Sequence, residues 1–258
     1  MTVQTEDEVA SFVASMPAEY RAAFDPEAMR SHAEIVGRRT GKSTHVEMWR
    51  ALEERIVAIC VVAEDRPGLL SSISSALVST KIDVVSAHAY CRTRADGAIE
   101  AIDVLWIRRL PEANGLVAAI RAREIVAVAD AIERAVKRAS LGPFPVPAPA
   151  AAGPGSSTRI RFDTDPKTGI TTLTVEAVDR PGLLLAVTQA LFRAGLQIIG
   201  LRATTERGCA VDRFQLAEAD GSALRRDRLL TLQTAILGAL DEGPPAKTLV
   251  IPKQRSVG

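Results

Sequence analysis

The chain has 258 residues, of which 47% are hydrophobic and 24% are charged, and its formal net charge is +1. This composition is typical of a globular protein with one large domain or two small ones, and the near-neutral charge gives no electrostatic case for nucleic-acid binding. No apolar run reaches the roughly 18 residues that a membrane-spanning helix needs. The first residues lack a signal pattern, so we expect a cytoplasmic protein with no membrane contact.

The first 54 residues have no counterpart elsewhere in the chain, and they predict a helical N-terminal segment. Residues 17–39 have a helical pattern, and Asp25 followed by Pro26 is typical of a helix start. The loop GRRTGKS at 37–43 resembles a phosphate-binding loop, but its glycines are separated by three residues instead of four and no strand precedes it. We interpret it as a charged loop.

From residue 55 onward the sequence contains one internal repeat. The motif DRPGLL occurs at 65–70 and again 114 positions later, at 179–184. In each copy a strand-like apolar run precedes the motif and helical apolar spacing follows it. Two more strand-like runs come next in each copy. These runs are 82–93 and 98–107 in the first copy, and 196–205 and 210–216 in the second.

A second amphipathic helix follows in each copy, so each copy has the order β-α-β-β-α. A last strand would complete βαββαβ, the ferredoxin-like unit. Candidates for that strand are 158–162, which either closes the first unit or begins the second, and 248–251. The apolar stripes of the second helices are Val117, Ile120, Ile125, Val128, Ile132 and Val136, and Leu229, Leu232, Ile236 and Leu240.

The predicted fold class is α+β, with two ferredoxin-like βαββαβ units and a helical N-terminal lead-in. The first unit spans 55–140, a Pro/Gly-rich linker spans 141–157, and the second unit spans 158–258. Cys60, Cys91 and Cys209 are far apart and form no C-x-x-C motif, so they indicate neither a disulfide framework nor a zinc site. Cys60 lies in an apolar run and is expected in the core. We expect no metal and no cofactor.

The DRPG motif places a proline and a glycine where a strand ends and a helix begins. Pro67 suits the first turn of a helix, and Gly68 allows a ligand or another backbone to come close. The first N–H groups of the helix are unpaired and attract a carboxylate. Asp65 offers acceptors for an ammonium group and Arg66 offers donors, so one corner could bind both ends of an amino acid. A plain strand-to-helix turn is the alternative, and the near-identical second copy argues against it.

The motif and its flanking sequences resemble the ACT domain, a ferredoxin-like regulatory module that commonly binds amino acids between paired copies. The stretches TRIRFDTD and LTVEAVDRPGLLLAVTQALFRAGLQI are similar to the C-terminal tandem ACT region of bifunctional uridylyltransferase/uridylyl-removing enzymes, which modify the PII nitrogen-signalling protein. In those enzymes the ACT pair is implicated in sensing glutamine. The resemblance covers most of the chain and implies ligand contacts at these positions: Asp65, Arg66, Gly68, Leu69, Asp179, Arg180, Gly182 and Leu183.

The first copy departs from the pattern of the second in two places. Its hairpin is five residues longer, and Lys81 stands where the second copy has Gly195. The first site is therefore expected to be altered or empty.

The catalytic motifs of the resembling enzymes are not found in the sequence. No histidine is followed by aspartate, as the hydrolase metal site requires; the three histidines are His32, His45 and His88. The stretch GSSTRIRFDTD imitates the transferase signature through Asp163 and Asp165, but its spacer is too short for two-metal chemistry and we interpret it as a turn.

We therefore predict a non-catalytic regulator that binds a small amino acid, with glutamine first, and controls a partner in nitrogen or amino-acid metabolism. Two alternatives remain open. One is a tandem-ACT regulator of a transcription factor with vestigial ligand sites, and the other is a degenerate uridylyltransferase fragment. An exposed sheet edge or helix face on each unit would allow a homodimer.

Overall fold

The computed structural model describes residues 5–53, 55–112, 115–139 and 158–241. These ranges contain seven α-helices and one eight-stranded antiparallel sheet, which makes the fold α+β. The strands are β1 (Thr44–Ala51), β2 (Val57–Glu64), β3 (Ile82–Thr93), β4 (Ile99–Arg109), β5 (Arg159–Thr164), β6 (Thr171–Val178), β7 (Leu196–Glu206) and β8 (Cys209–Glu218). The helices are α1 (Glu6–Ser15), α2 (Ala18–Ala23), α3 (Pro26–Gly37), α4 (Leu69–Ser79), α5 (Ala122–Ala139), α6 (Leu183–Arg193) and α7 (Leu229–Asp241).

The strand order across the sheet is β1-β2-β4-β3-β7-β8-β6-β5, which is symmetric about its centre. The central strands β3 and β7 pair antiparallel, with His88 opposite Arg202. These two residues are 114 positions apart, the same offset as the repeated motif. The approximate twofold axis of the repeat therefore passes through this pair, and the two halves share one continuous sheet.

Each half contains the order β-α-β-β-α that the periodicity predicts, with the last strand inserted between the first two. The fourth strand of each half, however, precedes the others in sequence. The strand β1 pairs with β2, and β5 pairs with β6. The predicted order βαββαβ is therefore wrong for the described strands, and residues 158–162 lie in the second half. The division into two ACT units stays a prediction.

The N-terminal segment is helical only as far as Gly37, so the predicted helical segment over 1–54 is wrong at its end, where β1 lies. The helix α3 starts as expected, because the Asp25 side chain accepts a hydrogen bond of 2.8 Å from the Ala28 N–H. The charged loop at 37–43 carries Arg39, which forms a buried ion pair with Glu100 at 2.6 Å.

The second helix of the first half begins later than the apolar stripe predicts. The helix α5 starts at Ala122, so Val117 and Ile120 precede it. The linker predicted at 141–157 and the strand predicted at 248–251 lie outside the described residues.

The helices α4 to α7 pack on one face of the sheet and form a hydrophobic core that runs through both halves. The other face of the first half is covered by α1 to α3, which bring aromatic side chains onto the sheet. Tyr20 is fully buried there, and its hydroxyl lies 2.9 Å from His32 Nδ1. Cys60 faces this second core and is buried, as predicted.

The corresponding face of the second half is polar. Arg161, Thr174, Arg213 and Arg202 stand side by side in register across β5, β6, β8 and β7. The three arginine side chains are exposed or partly exposed, in contrast with the aromatic cluster of the first half. Among the described helices, none is long and apolar enough to cross a membrane.

Candidate ligand-binding corners

The repeated DRPG motif forms the same corner twice. Gly68 and Gly182 are the residues before α4 and α6, and both have a left-handed backbone, with φ of +81° and +80°. Glycine adopts this conformation without steric cost, whereas other residues are strained in it. Pro67 and Pro181 precede these glycines, so they lie in the turn and not in the first helical turn, where the sequence placed them.

The arginines of the motif connect each corner to the second helix of its own half. Arg66 Nη2 donates a hydrogen bond to the carbonyl oxygen of Val136 in α5. Arg180 Nη2 donates to the carbonyl oxygen of Leu240 in α7, at 2.6 Å. Both carbonyls lie in the last turn of a helix, where the helix dipole is negative and a cation is favourable. In this structure both guanidinium groups are therefore engaged with the protein backbone.

Asp65 lies at the opening of the first corner and contacts the other half of the molecule. Its Oδ2 accepts a hydrogen bond of 2.6 Å from Gln197 Nε2 of β7. Burial raises the pKa of this carboxyl, and hydrogen bonds from Gln197 and Cys91 oppose the increase. The predicted contact residues Leu69 and Leu183 begin α4 and α6, and they are buried in the walls of the corners.

Each corner encloses a small pocket that both halves line. The first pocket is lined by Asp65 and Gly68 of its own half and by Thr188, Phe192 and Leu196 of the other half. The second is lined at the matching positions, 114 residues away. Its residues include Asp179 and Gly182 of its own half, and Ser74, Val78 and Ile82 of the other half. The approximate twofold axis therefore relates the two sets of four predicted contact residues to each other.

The first corner is closed by an aromatic ring. A Cβ atom added to Gly68 would lie 2.8 Å from the ring of Phe192, so the ring lies directly against this glycine. The second corner has the smaller Val78 at the matching position.

Both pockets are small. The first has a volume of about 20 Å³ and the second about 30 Å³. A cavity of roughly 10–15 Å³ on this measure holds one water molecule. As the structure stands, each corner has room for a group the size of a water molecule. A whole amino acid fits only if the side chains that close the corners, Phe192 and Val78, move.

A larger cavity of about 530 Å³ lies away from the corners, between α6 and α7. Its lining includes Arg193, Asp227, Arg228 and Thr231 together with small apolar residues. The predicted site residues of the second corner do not line it, so the two cavities are separate features.

Sequence reasoning missed a pair of buried aspartates behind the corners. Asp103 of β4 is 2% exposed and lines the first pocket, and Asp212 of β8 is 4% exposed and lines the second. Burial raises the pKa of Asp103 well above its ordinary value, and burial together with the charge of Asp179 raises the pKa of Asp212 to about 7. The available signal was an aspartate at the same position of an apolar strand in both copies.

The other acidic residues in the described part of the chain do not cluster into a metal-binding group. Among the described residues, no group of three or more His, Cys, Asp or Glu side chains is arranged to hold a metal ion. Asp165, which imitates a transferase ligand in sequence, lies in a turn and accepts hydrogen bonds from the Lys167 N–H at 2.8 Å and the Thr168 hydroxyl at 3.0 Å. This geometry agrees with the interpretation as a turn.

Comparison with known sequences points in one direction. No family model matches the chain. A bifunctional uridylyltransferase/uridylyl-removing enzyme of Rhodospirillum rubrum is 27% identical over 237 residues, which are 88% of this chain and 24% of that enzyme. The enzyme of the same name from Gluconobacter oxydans is 28% identical over 87% of this chain and 24% of its own length. The enzyme from Ruegeria pomeroyi is 29% identical over 71% of this chain and 20% of its length.

Two solved structures are more distant. A protein of unknown function from Galdieria sulphuraria is 18% identical, with a TM-score of 0.23, over 76% of this chain and 91% of its own. Aspartate kinase from Synechocystis is 12% identical, with a TM-score of 0.21, over 73% of this chain and 40% of its own. Neither score supports an argument about fold.

The chain spans about a quarter of the length of the curated relatives it matches. A match of this extent is consistent with the resemblance to a C-terminal regulatory region. Over nearly nine tenths of its length, this chain is a homologue of one part of bifunctional uridylyltransferase/uridylyl-removing enzymes.

Proposed function

We propose that the protein is a non-catalytic regulator that binds a small amino acid at its two corners and transmits occupancy to a partner protein. The observation that carries this proposal is the duplicated corner, where Asp65 or Asp179 lies beside a left-handed glycine and the start of a helix. Such a corner presents carboxylate oxygens and unpaired N–H groups together, the two kinds of group that bind the two ends of an amino acid.

The shared construction of the pockets supports a sensing role. Each pocket is lined by both halves, so a ligand that enters must move residues of one half relative to the other. A ligand shifts a conformational equilibrium by the difference between its affinities for the two states. The ligand would then control the position of one half relative to the other.

The sequence resemblance to a tandem ACT region makes glutamine the first ligand to test, and we propose nitrogen or amino-acid metabolism as the setting. The relatives are named uridylyltransferase/uridylyl-removing enzymes, and the stretch they share with this chain is about a quarter of their length. We propose that the two halves are ACT units, that the partner is a protein of that metabolism, and that a homodimer through the exposed edges of β1 or β5 is part of the assembly.

Isothermal titration of the folded protein with each of the twenty amino acids tests the proposal. We expect binding of glutamine in the micromolar to millimolar range, with little binding of most other amino acids. Absence of binding of all twenty at millimolar concentration, in a protein whose circular dichroism shows that it is folded, would contradict the ligand-binding role.

The small volume of the two pockets favours one alternative, a protein-interaction regulator whose ligand sites are vestigial. Pockets of about 20 and 30 Å³ hold no amino acid without rearrangement. A partner that is captured equally well with and without amino acids, while titration detects no ligand, would favour this function.

The interpretation as a uridylyltransferase fragment is tested by an assay for UMP transfer to a PII protein. We expect no transfer with or without a divalent metal ion. Metal-dependent transfer by the purified chain would overturn the non-catalytic proposal.

A further inference from the structure

Two buried carboxyl groups form the floors of the corner pockets. Asp103 lies on β4 and Asp212 on β8, the strands next to the central pair β3 and β7. Both aspartates are on the sheet face covered by α4 to α7, with Ala101 and Ala210 two residues before them in the same core. Each carries its carboxyl behind the aspartate of the motif in the same pocket. Because a buried carboxyl lies at the same place in both halves, we expect each of them to have a hydrogen-bonding or charged partner.

Unpartnered polar atoms point to a missing ligand group at each corner. Asp103 Oδ2 is buried and has no hydrogen-bond partner. Two residues that line the second pocket have buried unpartnered atoms: Ser74, which is 2% exposed, at Oγ, and Arg180 at Nε. Polar atoms buried without a partner cost folding free energy, so they are commonly satisfied by a water molecule or a ligand.

The chemistry of the floor selects for a positive group. The acidic, basic and thiol groups that line the first pocket with Asp103 are the carboxyl of Asp65, the guanidinium of Arg66 and the thiol of Cys91. The guanidinium of Arg66 is directed to the Val136 carbonyl oxygen, which leaves the Asp65 carboxyl and the Cys91 thiol beside Asp103. A carboxylate placed between Asp65 and Asp103 would meet like charges, whereas an ammonium group would find their carboxyl oxygens as acceptors. The pocket volume fits, because an ammonium group is about the size of the single water molecule that each corner can hold.

The second pocket is lined by one more carboxyl group than the first. Where the first corner has Gln197, the second has Asp83, and this residue lies near enough to Asp179 that the charge of Asp179 raises its pKa further above its ordinary value. Arg108 pairs with Asp83 at 3.0 Å and leaves Asp179 and Asp212 without that compensation. The guanidinium of Arg180 is directed to Leu240.

We propose that Asp103 and Asp212 bind the primary ammonium group of the ligand, and that the second corner binds it more tightly than the first. This inference rests on the proposed amino-acid binding and names the part of the ligand that enters first. The remaining atoms of the ligand lie toward the opening, where Phe192 or Val78 must give way.

The test compares ligands that differ only in the ammonium group. Wild-type protein is titrated with L-glutamine, with glutaramic acid, which is glutamine without its amino group, and with ammonium chloride. We expect glutamine to bind at least ~10-fold more tightly than glutaramic acid, since a charge-assisted hydrogen bond in a desolvated site is lost. Ammonium chloride that competes with glutamine would assign the same chemistry to the free ion as well.

The Asp212→Asn and Asp103→Asn variants keep the shape of the side chain and remove its charge. We expect Asp212→Asn to weaken glutamine binding at least ~10-fold at the second corner, with a smaller effect of Asp103→Asn at the first. The double variant should lose the discrimination against glutaramic acid. Asp163→Asn, an exposed change on β5, is the matched control and should leave both affinities unchanged. Full discrimination by the double variant would overturn the inference.

Proton release gives a second readout that needs no variant. Titration of glutamine at pH 6 in buffers of different ionisation enthalpy should show protons released on binding, because the ammonium group favours the charged form of Asp212. The ionisable groups facing Asp212 are Asp179 at the corner and Asp83 of β3, with Arg180 at the opening. No proton release at pH 6 contradicts the inference.

The two proposals fail in different ways. A folded wild-type protein that binds no amino acid overturns the proposed function. A protein that binds glutamine and glutaramic acid equally keeps the proposed function and overturns the assignment of Asp103 and Asp212.

Discussion

The two halves of the molecule share a backbone plan and differ in what surrounds it. The first half is covered on its outer face by three helices and an aromatic cluster, whereas the same face of the second half carries exposed arginines. The first corner is closed by Phe192 and Gln197, and the second by Val78 and Asp83. The two halves keep the same corner and differ in the residues around it, so that the second pocket is slightly larger and is lined by one more carboxyl group.

The largest expected effect comes from removing an aromatic anchor of the first half. Tyr20 is fully buried between Phe24 and Tyr90, with ring centroids at 5.0 and 5.3 Å. We expect Tyr20→Ala to lower the free energy of unfolding by about 3–5 kcal/mol, because it leaves a cavity. Arg213→Ala, on the same face of the second half, should change it by less than about 1 kcal/mol. Urea denaturation measures both, and equal losses would remove the contrast between the halves.

The buried carboxyl of the second half should make stability depend on pH. The folded pKa of Asp212 is about 7, against an ordinary value of 3.8. The stability that the Asp212 carboxyl contributes is therefore fully present below pH 3.8. It is lost as the pH rises to 7, because over this range Asp212 is ionised in the unfolded chain and protonated in the folded chain. We expect wild type to lose about 2–3 kcal/mol more than Asp212→Asn between pH 5 and pH 8. Urea denaturation of both proteins at the two pH values measures this difference. An identical loss of stability in wild type and Asp212→Asn would contradict the raised pKa of Asp212.

The two glycines should respond differently to alanine. Gly68→Ala and Gly182→Ala both place a side chain on a left-handed backbone, which costs about 1–2 kcal/mol. Gly68→Ala also pushes against Phe192, so we expect the larger loss of stability there. In a Phe192→Ala background the cost of Gly68→Ala should fall toward the backbone strain alone. An unchanged cost in that double mutant would show that the ring yields freely.

The smallest expected effect concerns the residues that follow α4 and α6. Lys81 follows α4 with φ of +59°, where the second half has Gly195 with φ of +72°. We expect Lys81→Gly to raise the free energy of unfolding by about 0.5–1 kcal/mol, and Gly195→Lys to lower it by a similar amount. Thermal denaturation measures the pair, and a loss of stability in Lys81→Gly would mean that the lysine side chain makes a compensating contact.

Much of the local structure could be predicted from the sequence. The strand β3 and the start of α3 at Asp25 follow from alternation and helix-capping chemistry, which act between near neighbours in the chain. The strand β1 was missed because THVEMWRA lies in a stretch without a repeat, and its partner β2 cannot be read from β1 alone. The fourth strand of each half was predicted at the end of the unit, and it instead precedes the other strands. This prediction was wrong for the same reason, since strand pairing is decided by tertiary contacts.

The corners were predicted only in part. The left-handed glycines and the carboxyl of Asp65 follow from the motif, whereas the bond from Gln197 to Asp65 joins residues 132 positions apart. The arginines line the two pockets, and their bonds to helix carbonyls could not be predicted from the motif. Their contact with a ligand stays a prediction. Side-chain partners at such separations depend on how the halves pack, which a single sequence does not state.

The placement of α4 and α6 has a consequence for how two ligands influence each other. The helix α4 begins at the first corner and carries Val78, near its end, on the wall of the second. The helix α6 begins at the second corner and carries Phe192 over the first. The two helices pack against each other. We expect that a displacement of the helix end at one corner also displaces the residues of the same helix at the other corner. Occupancy of either corner should therefore alter the affinity of the other by the same factor in both directions, and the protein should respond to its ligand cooperatively, not as two independent sites.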